Sequence, residues 1–537
     1  MKKGTCFPKL LCMLLLLTLV LSGCADDTRN SQAATQNSRT ETLADNLDGE
    51  KLFTDRDLEV GYDDTQTVTI TLSGNTATSD SENVVVGDNT ITITSEGCYV
   101  LTGSYEGQIL VDADQSAKLQ LVLCNAQVTC ESSAALYIRK ADKVFVTTVA
   151  DSENLFKTTD AYVDIDDNHI DGAVFSKADL TLNGEGILQA VSTVGNGIVS
   201  KDDLVITSGT YEIRAGHHGL EGKDSVRIAN GDFQITAGQD GIHSGNDEDE
   251  TVGFTYIAGG TLEIAAGDDG MHSDTKLVIA GGTIRISESY EGLEGCQVEI
   301  SGGEIYVKAS DDGINAAGGT MGQEYLLLIS GSKLIVDAGG DGVDSNGSLK
   351  VTGGEILIYG PESGADGALD YETDALISGG SLIAMGNSGM AENFGSDSTQ
   401  CSMMVTFENF YDVGAEVQLL KESGEVLLEA SAIKKFNNVV FSSSLLQVGE
   451  TYTVKVTGEN QEESQTIQMT DVIYGSGFGP GKGGFGPGKG GFDGKGGFDG
   501  REDFDGKGGP VGPRGKEAPD GQKAPEGQKA SDGQGEL

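Results

Sequence analysis

From about residue 58 to residue 472, short runs of Val, Ile, Leu and Thr alternate with Gly and Asp, with almost no helical periodicity. In "DGMHSDTKLVIAGGTIRISES" the apolar residues fall at every second place and glycines bound each run. That alternation predicts short strands with one face buried. The units also recur. The glycine that follows an acidic or polar residue stands at Gly172, Gly197, Gly219, Gly241, Gly270, Gly292, Gly313, Gly342 and Gly367, in steps of 25, 22, 22, 29, 22, 21, 29 and 25. A second series, Gly209, Gly231, Gly260, Gly282, Gly303, Gly331, Gly354 and Gly380, precedes the next member of the first by ten residues in most repeats.

Three strands of four or five residues with bends between them close one coil, at about 3.3 Å per residue. A coil cannot bury its own apolar face, so coils stack around a shared core. A propeller would need blades of roughly 40 residues with aromatic signatures, and the chain has no Trp. The expected fold is therefore all-β: a parallel β-helix with coils of about 22 residues over 58–400, its glycines turning corners where a positive φ costs them little. The two longest repeats carry their extra residues at 244–260 and 316–331, both between the strand after the first glycine and the next corner. Insertions gathered at one corner predict the functional side of a solenoid.

The ends read differently. "MKKGTCFPKLLCMLLLLTLVLSGC" (1–24) has a basic start, a short apolar core and a Leu-Ser-Gly-Cys end that resembles a bacterial lipobox,. It predicts export, acylation of Cys24 and an extracellular protein held at the cell membrane by lipid. Residues 25–57 are polar and aperiodic and predict a flexible spacer. Residues 401–473 keep strand alternation without the repeat glycines and predict terminal coils or a small β cap; 474–537 predict a Gly-rich, low-complexity tail,. Cys98, Cys124, Cys130, Cys296 and Cys401 are odd in number and match no zinc spacing, so most are expected as small buried hydrophobes. Cys98 and Cys124 could lie on neighbouring strands.

A formal net charge of −49 argues against nucleic acid and acidic membrane surfaces and favours cations. The stretches 89–114, 134–154, 173–188, 196–213 and 239–254, among them "NTITITSEGCYVLTGSYEGQILVDAD" and "QDGIHSGNDEDETVGF", resemble bacterial carbohydrate-binding proteins of clostridial cell surfaces. The resemblance covers about 58–470. It implies a right-handed, pectate-lyase-like β-helix that binds plant-type or acidic polysaccharide with calcium, and does not imply established catalysis.

The acids fall in columns. Before the glycine stand Asp171, Asn196, His218, Asp240, Asp269, Glu291, Asp312, Asp341 and Asp366; two places after it stand Glu221, His243, His272, Glu294, Asn315 and Asp344. Asp268 and Asp311 add charge beside the first column. Coils about 4.8 Å apart would set equivalent carboxylates against each other at roughly 3–4 kcal/mol per pair. Protons, cations or splaying into water must relieve this. Calcium, with oxygen ligands at about 2.3–2.6 Å, can bridge successive coils, so Asp240, Asp268, Asp269, Glu291, Glu294, Asp311, Asp312, Asp341, Asp344 and Asp366 are the candidate ligands. Asp before Gly is also a favoured turn element whatever it binds. His243 and His272 share a column, but with Glu and Asn beside them a solvated polar ladder is expected; His217 and His218, at a corner, say less.

Without Trp, sugar stacking would fall to tyrosines, with Tyr256, Tyr290 and Tyr325 the candidates. The leading expectation is a lipid-anchored surface protein that binds acidic, uronate-containing or plant cell-wall polysaccharide through calcium. Two others stand beside it: a calcium-dependent polysaccharide lyase on the same scaffold, needing an arginine such as Arg214, Arg227 or Arg285 beside the ions, and a structural or adhesive surface protein.

Overall fold

The computed structural model describes Leu47 and residues 52–475, apart from 161, 164–165, 247 and 320–323. The leader with Cys24, most of the spacer and the tail from 476 lie outside the described residues.

The repeat forms a parallel β-helix with three faces. In one coil, Ile242–Ser244 lies on face C, Phe254–Ile257 on face A and Thr261–Ala266 on face B. Met271–Ile279 then opens face C of the next coil and bends into its face A. Each strand pairs in parallel with its equivalents above and below, so identical positions stack. On face A, Ile228, Ile257, Ile279, Ile300 and Ile329 pair in register. Ile213, Ile235, Ile264 and Ile286 do so on face B. Face C contributes Ile198, Leu220, Ile242, Met271, Leu293, Ile314 and Val343. All of these are buried in one continuous core. β-Branched residues dominate because two substituents on Cβ fill a pleated surface with little rotamer freedom to lose.

The two glycine series have different causes. At the A–B corner the chain is left-handed, with φ 116° at Gly209, 102° at Gly282 and 94° at Gly303, as expected of glycine. Ser332 interrupts that column: Glu304 pairs with Lys333, so Gly331 fills the place of Gly302. At the B–C corner the expectation of a positive φ is corrected, since Gly241, Gly270, Gly292 and Gly313 have ordinary backbone angles there. A Cβ on Gly292 would lie 2.1 Å from Val307 Cγ1 and 2.2 Å from the Gly313 carbonyl oxygen. Glycine is needed here because successive coils touch backbone to backbone.

The segment before the repeat packs along the outside of face A, and the far end of the helix is capped. The expected spacer ends before residue 57: Asp57 is buried on face A, 2.8 Å from the Lys143 ammonium and accepting the Thr181 hydroxyl at 2.7 Å. Burial alone would raise its pKa, but Lys143, Thr54 and Thr181 outweigh that and lower it to about 2. At the other end the chain leaves the repeat and forms a β cap. Phe436–Ser443 pairs antiparallel with the last face-B strand, and a separate four-stranded antiparallel sheet covers a second core around Val417, Val454 and Val456. The five cysteines among the described residues are free thiols, and Cys98 pairs in register with Gln120, not with Cys124.

Candidate functional site

The acids gather at the B–C corner and along face C. In the column before the glycine, several side chains reach the main-chain N–H of their equivalent on the next coil. Asn196 Oδ1 accepts from His218 N, Asp240 Oδ1 from Asp269 N at 3.1 Å, Asp269 Oδ1 from Glu291 N at 3.3 Å and Asp312 Oδ1 from Asp341 N at 2.7 Å. The corner backbone is thus satisfied, and each aspartate keeps its second oxygen for another partner. Two residues past the glycine, Glu221, His243, His272, Glu294, Asn315 and Asp344 pair in register as a second column. The expected insertions lie along the other edge of face C, between it and face A, in the stretches 245–253 and 317–325.

The first stretch of the site contains histidine. The rings of His218 and His243 stack with centroids 4.3 Å apart, and His243 stacks on His272 at 5.1 Å. His218 Nδ1 and His243 Nδ1 lie 3.1 and 2.7 Å from one oxygen, Asp240 Oδ2. Burial would raise the Asp240 carboxyl, but the two imidazoles hold it well below the usual range. On the next coil His272 faces Asp269 at 3.4 Å, Asp274 at 3.3 Å and Glu294. Burial lowers the His272 pKa, yet those three carboxylates push it up to about 12. Asp240, Asp269 and Glu294 therefore stand among nitrogen donors, not in the all-oxygen surroundings expected for calcium.

The second stretch has oxygen only. Burial, Asp311, Asp366 and Asp370 raise Asp312 to about 6. Burial, with Asp312, Asp370 and Asp344, raises Asp341 to about 8. Asp344 is raised to about 7 by burial, Asp370 and Asp312. Glu291, raised by burial and by Glu294 to about 7, accepts the Asn315 amide at 3.0 Å. Asn315 is 6% exposed, and its Oδ1 has no hydrogen-bond partner among the described residues. Glu392, 5% exposed, is raised by burial and Asp370 to about 7 and likewise leaves Oε2 without one. Such groups ordinarily ionise near 4. Crowding of like charge in a half-buried strip opposes that, and a cation would reverse the effect.

The other expected residues are scattered. Asp268 and Asp311 sit beside the column at the B–C corner, where Asp311 and, secondarily, Glu291 push the exposed Tyr290 hydroxyl up to about 12. Asp366 is displaced from the column, because Gly342 N donates to Gly367 O and Val343 pairs with Leu369. Asp366 instead accepts the Ser363 hydroxyl at 2.8 Å. Tyr256 lies on face A with its ring 6.2 Å from Phe53, and Tyr325 bonds to Gly318 O at 2.9 Å. The three tyrosines do not form one platform. Arg227 pairs with Asp203 on face A, and Arg285 lies over Tyr306 on face B. Sequence reasoning missed His218, Asp370 and Glu392. Asp370 takes the place one coil beyond Asp344, as the Ser345 N to Asp370 O bond shows.

Residues 87–323 match the family described as carbohydrate-binding domain-containing protein. Over this segment the chain is similar to that family. A relative so described from Acetivibrio thermocellus is 31% identical over 137 residues, which are 25% of this chain and 48% of that protein. The chain thus spans about half the length of the curated relative it matches. The solved structure of a polysaccharide lyase-like protein from C. thermocellum, a gadolinium derivative, is 31% identical, with a TM-score of 0.39 over 44% of this chain and 92% of its own. The matched segment holds both histidine triads and reaches Asn315; Asp341, Asp344 and Asp370 lie beyond it.

Proposed function

We propose that the protein binds an acidic, uronate-bearing polysaccharide through calcium held by Asp312, Asp341, Asp344 and Asp370 on face C, while an acylated Cys24 tethers it outside the cell. The observation that carries this reading is the oxygen-only strip, in which several raised carboxylates stand beside the unpartnered Asn315 Oδ1. Calcium takes six to eight oxygen ligands, carboxylate and amide carbonyl alike, in flexible geometry, and this donor set fits that chemistry. Bound there, calcium would discharge the strip and present positive charge to a sugar carboxylate. Asp312 and Asp341 each fasten one oxygen to the next coil, which orients the other for the ion.

Affinity electrophoresis through gels containing polygalacturonate tests the reading. Calcium should retard the full-length protein, and chelator should release it. The Asp341→Asn/Asp344→Asn double variant should migrate as if chelated, and a neutral glucan should not retard either protein. Retardation indifferent to chelator would remove calcium from the mechanism. No retardation on acidic or neutral glycans, with melting still raised by calcium, would favour a structural role for the ion.

A further inference from the structure

We propose that His218, Asp240 and His243 form a second, chemically distinct metal site, one for a borderline divalent cation of the zinc type. The three ligand atoms lie within 4.8 Å of one another. They come from rigid positions: His218 and Asp240 occupy the column before the glycine on successive coils, and His243 the second column of the same coil as Asp240. A structural or catalytic zinc ion takes imidazole nitrogen at about 2.0–2.1 Å and carboxylate oxygen at about 2.0–2.2 Å, so neighbouring ligand atoms stand about 3.3 Å apart around a tetrahedron. The contacts of 3.1 and 2.7 Å at Asp240 Oδ2 need to open by about 0.2 and 0.6 Å to reach that spacing.

The hydrogen bonds already orient these ligands. Asp240 Oδ1 is taken by the Asp269 N–H, so Oδ2 is the oxygen left for the ion, an arrangement typical of ligands fixed by an outer partner. Asp240 N donates to His218 Nδ1 at 3.3 Å. That long bond marks Nδ1 as unprotonated, 3.1 Å from the carboxylate oxygen. A cation between nitrogen and oxygen would take over the single Nδ1 lone pair from the N–H and relieve the facing of lone pairs. Imidazole nitrogen is a poor ligand for calcium and a good one for zinc, copper or nickel, so this triad and the oxygen strip select different ions. Three protein ligands leave a fourth position for water or a sugar oxygen. The neighbouring triad Asp269, His272 and Glu294 has one nitrogen and two carboxylates and holds its positive charge on the imidazolium.

The test uses the full-length protein, stripped with chelator and supplied with saturating calcium so that the oxygen strip is filled. Zinc chloride is titrated by calorimetry, and cobalt chloride is followed by visible absorption. Zinc should bind despite the calcium, and cobalt should develop ligand-field bands of tetrahedral intensity. His243→Gln and, separately, His218→Gln should each weaken zinc binding at least tenfold, whereas Asp344→Asn should leave it unchanged. Far-UV dichroism and the calcium-induced rise in melting temperature report whether each variant is folded. Zinc binding that calcium abolishes, or that survives both histidine substitutions in folded protein, would overturn the proposal, as would no heat and no cobalt bands.

Discussion

Replacing Asp344 by Asn should change stability in opposite directions with and without calcium. Asp344 lies between Asn315 on one coil and Asp370 on the next. Two ionised carboxylates one coil spacing apart, about 4.8 Å, repel by about 3.5 kcal/mol at an effective dielectric of 20. Partial protonation and splaying reduce what is realised, and the exposed part of the strip is screened, so the variant should gain about 1–2 kcal/mol in chelator at pH 8. At a free calcium concentration of 100 Kd the wild-type protein gains about 2.7 kcal/mol, and the variant should lose most of that gain. For a folded body of this size, 1 kcal/mol moves the melting point by about 1 °C. Scanning fluorimetry in chelator and in calcium should therefore show the melting curves crossing: variant above wild type without calcium, below it with calcium. A variant less stable in chelator would show that Asp344 is not a repelled charge. An unchanged calcium response would show that it is not a ligand.

The same strip sets a pH dependence. Asp312, Asp341, Asp344, Glu291 and Glu392 have folded pKa values of about 6 to 8, above their ordinary values of 3.8 or 4.5. The folded state therefore binds more protons between those limits, so stability is greatest below about pH 4 for these groups and falls as pH rises through about 8. Urea midpoints in chelator should drop from pH 5 to pH 8, and calcium should flatten the slope; a rising midpoint would contradict the assignment. Asp57 has the opposite sign: its depressed pKa stabilises the fold above about pH 4, and that contribution is lost towards pH 2,. Asp57→Ala leaves the Lys143 ammonium buried without its partner and should cost about 3–5 kcal/mol at pH 7, read as a lowered urea midpoint with a normal calcium response. Gly292→Ala drives a methyl group into Val307 and the Gly313 carbonyl and should cost about 1–3 kcal/mol; an unchanged midpoint would show that the coils can separate there.

The repeat, its three strands and the inward side of each were legible because the spacing repeats and side chains alternate about the sheet. Ile242, one of the alternating apolar positions, is buried. The reason for a glycine was not legible: Gly282 supplies a left-handed turn and Gly292 supplies bare space, and both are the same letter in sequence. Spacing also misled where the coil changes length. The stretch 360–367 departs from the repeat, which shifted Asp366 out of the column and hid Asp370, the residue that does continue it. His218 looked uninformative because its partners, Asp240 and His243, are distant in sequence and adjacent only after stacking. Asp57 carried no signal at all. Its partners Lys143, Thr181 and Thr207 lie on three successive coils, and only the fold brings them to one place.

Backbone contact at the B–C corners from Gly197 to Gly342 makes the coil an interchangeable unit. Duplicating or deleting one 22-residue repeat within 196–295 would re-form each inner stack and each corner hydrogen bond with a new neighbour of the same kind. Gene duplication in this scaffold thus lengthens the ligand-bearing strip by whole rungs without redesigning the core, and the histidine and oxygen stretches can diverge rung by rung. The two proposed ion chemistries, side by side on one face, are an outcome open to such a history, and barred to a globular domain whose core admits no extra layer.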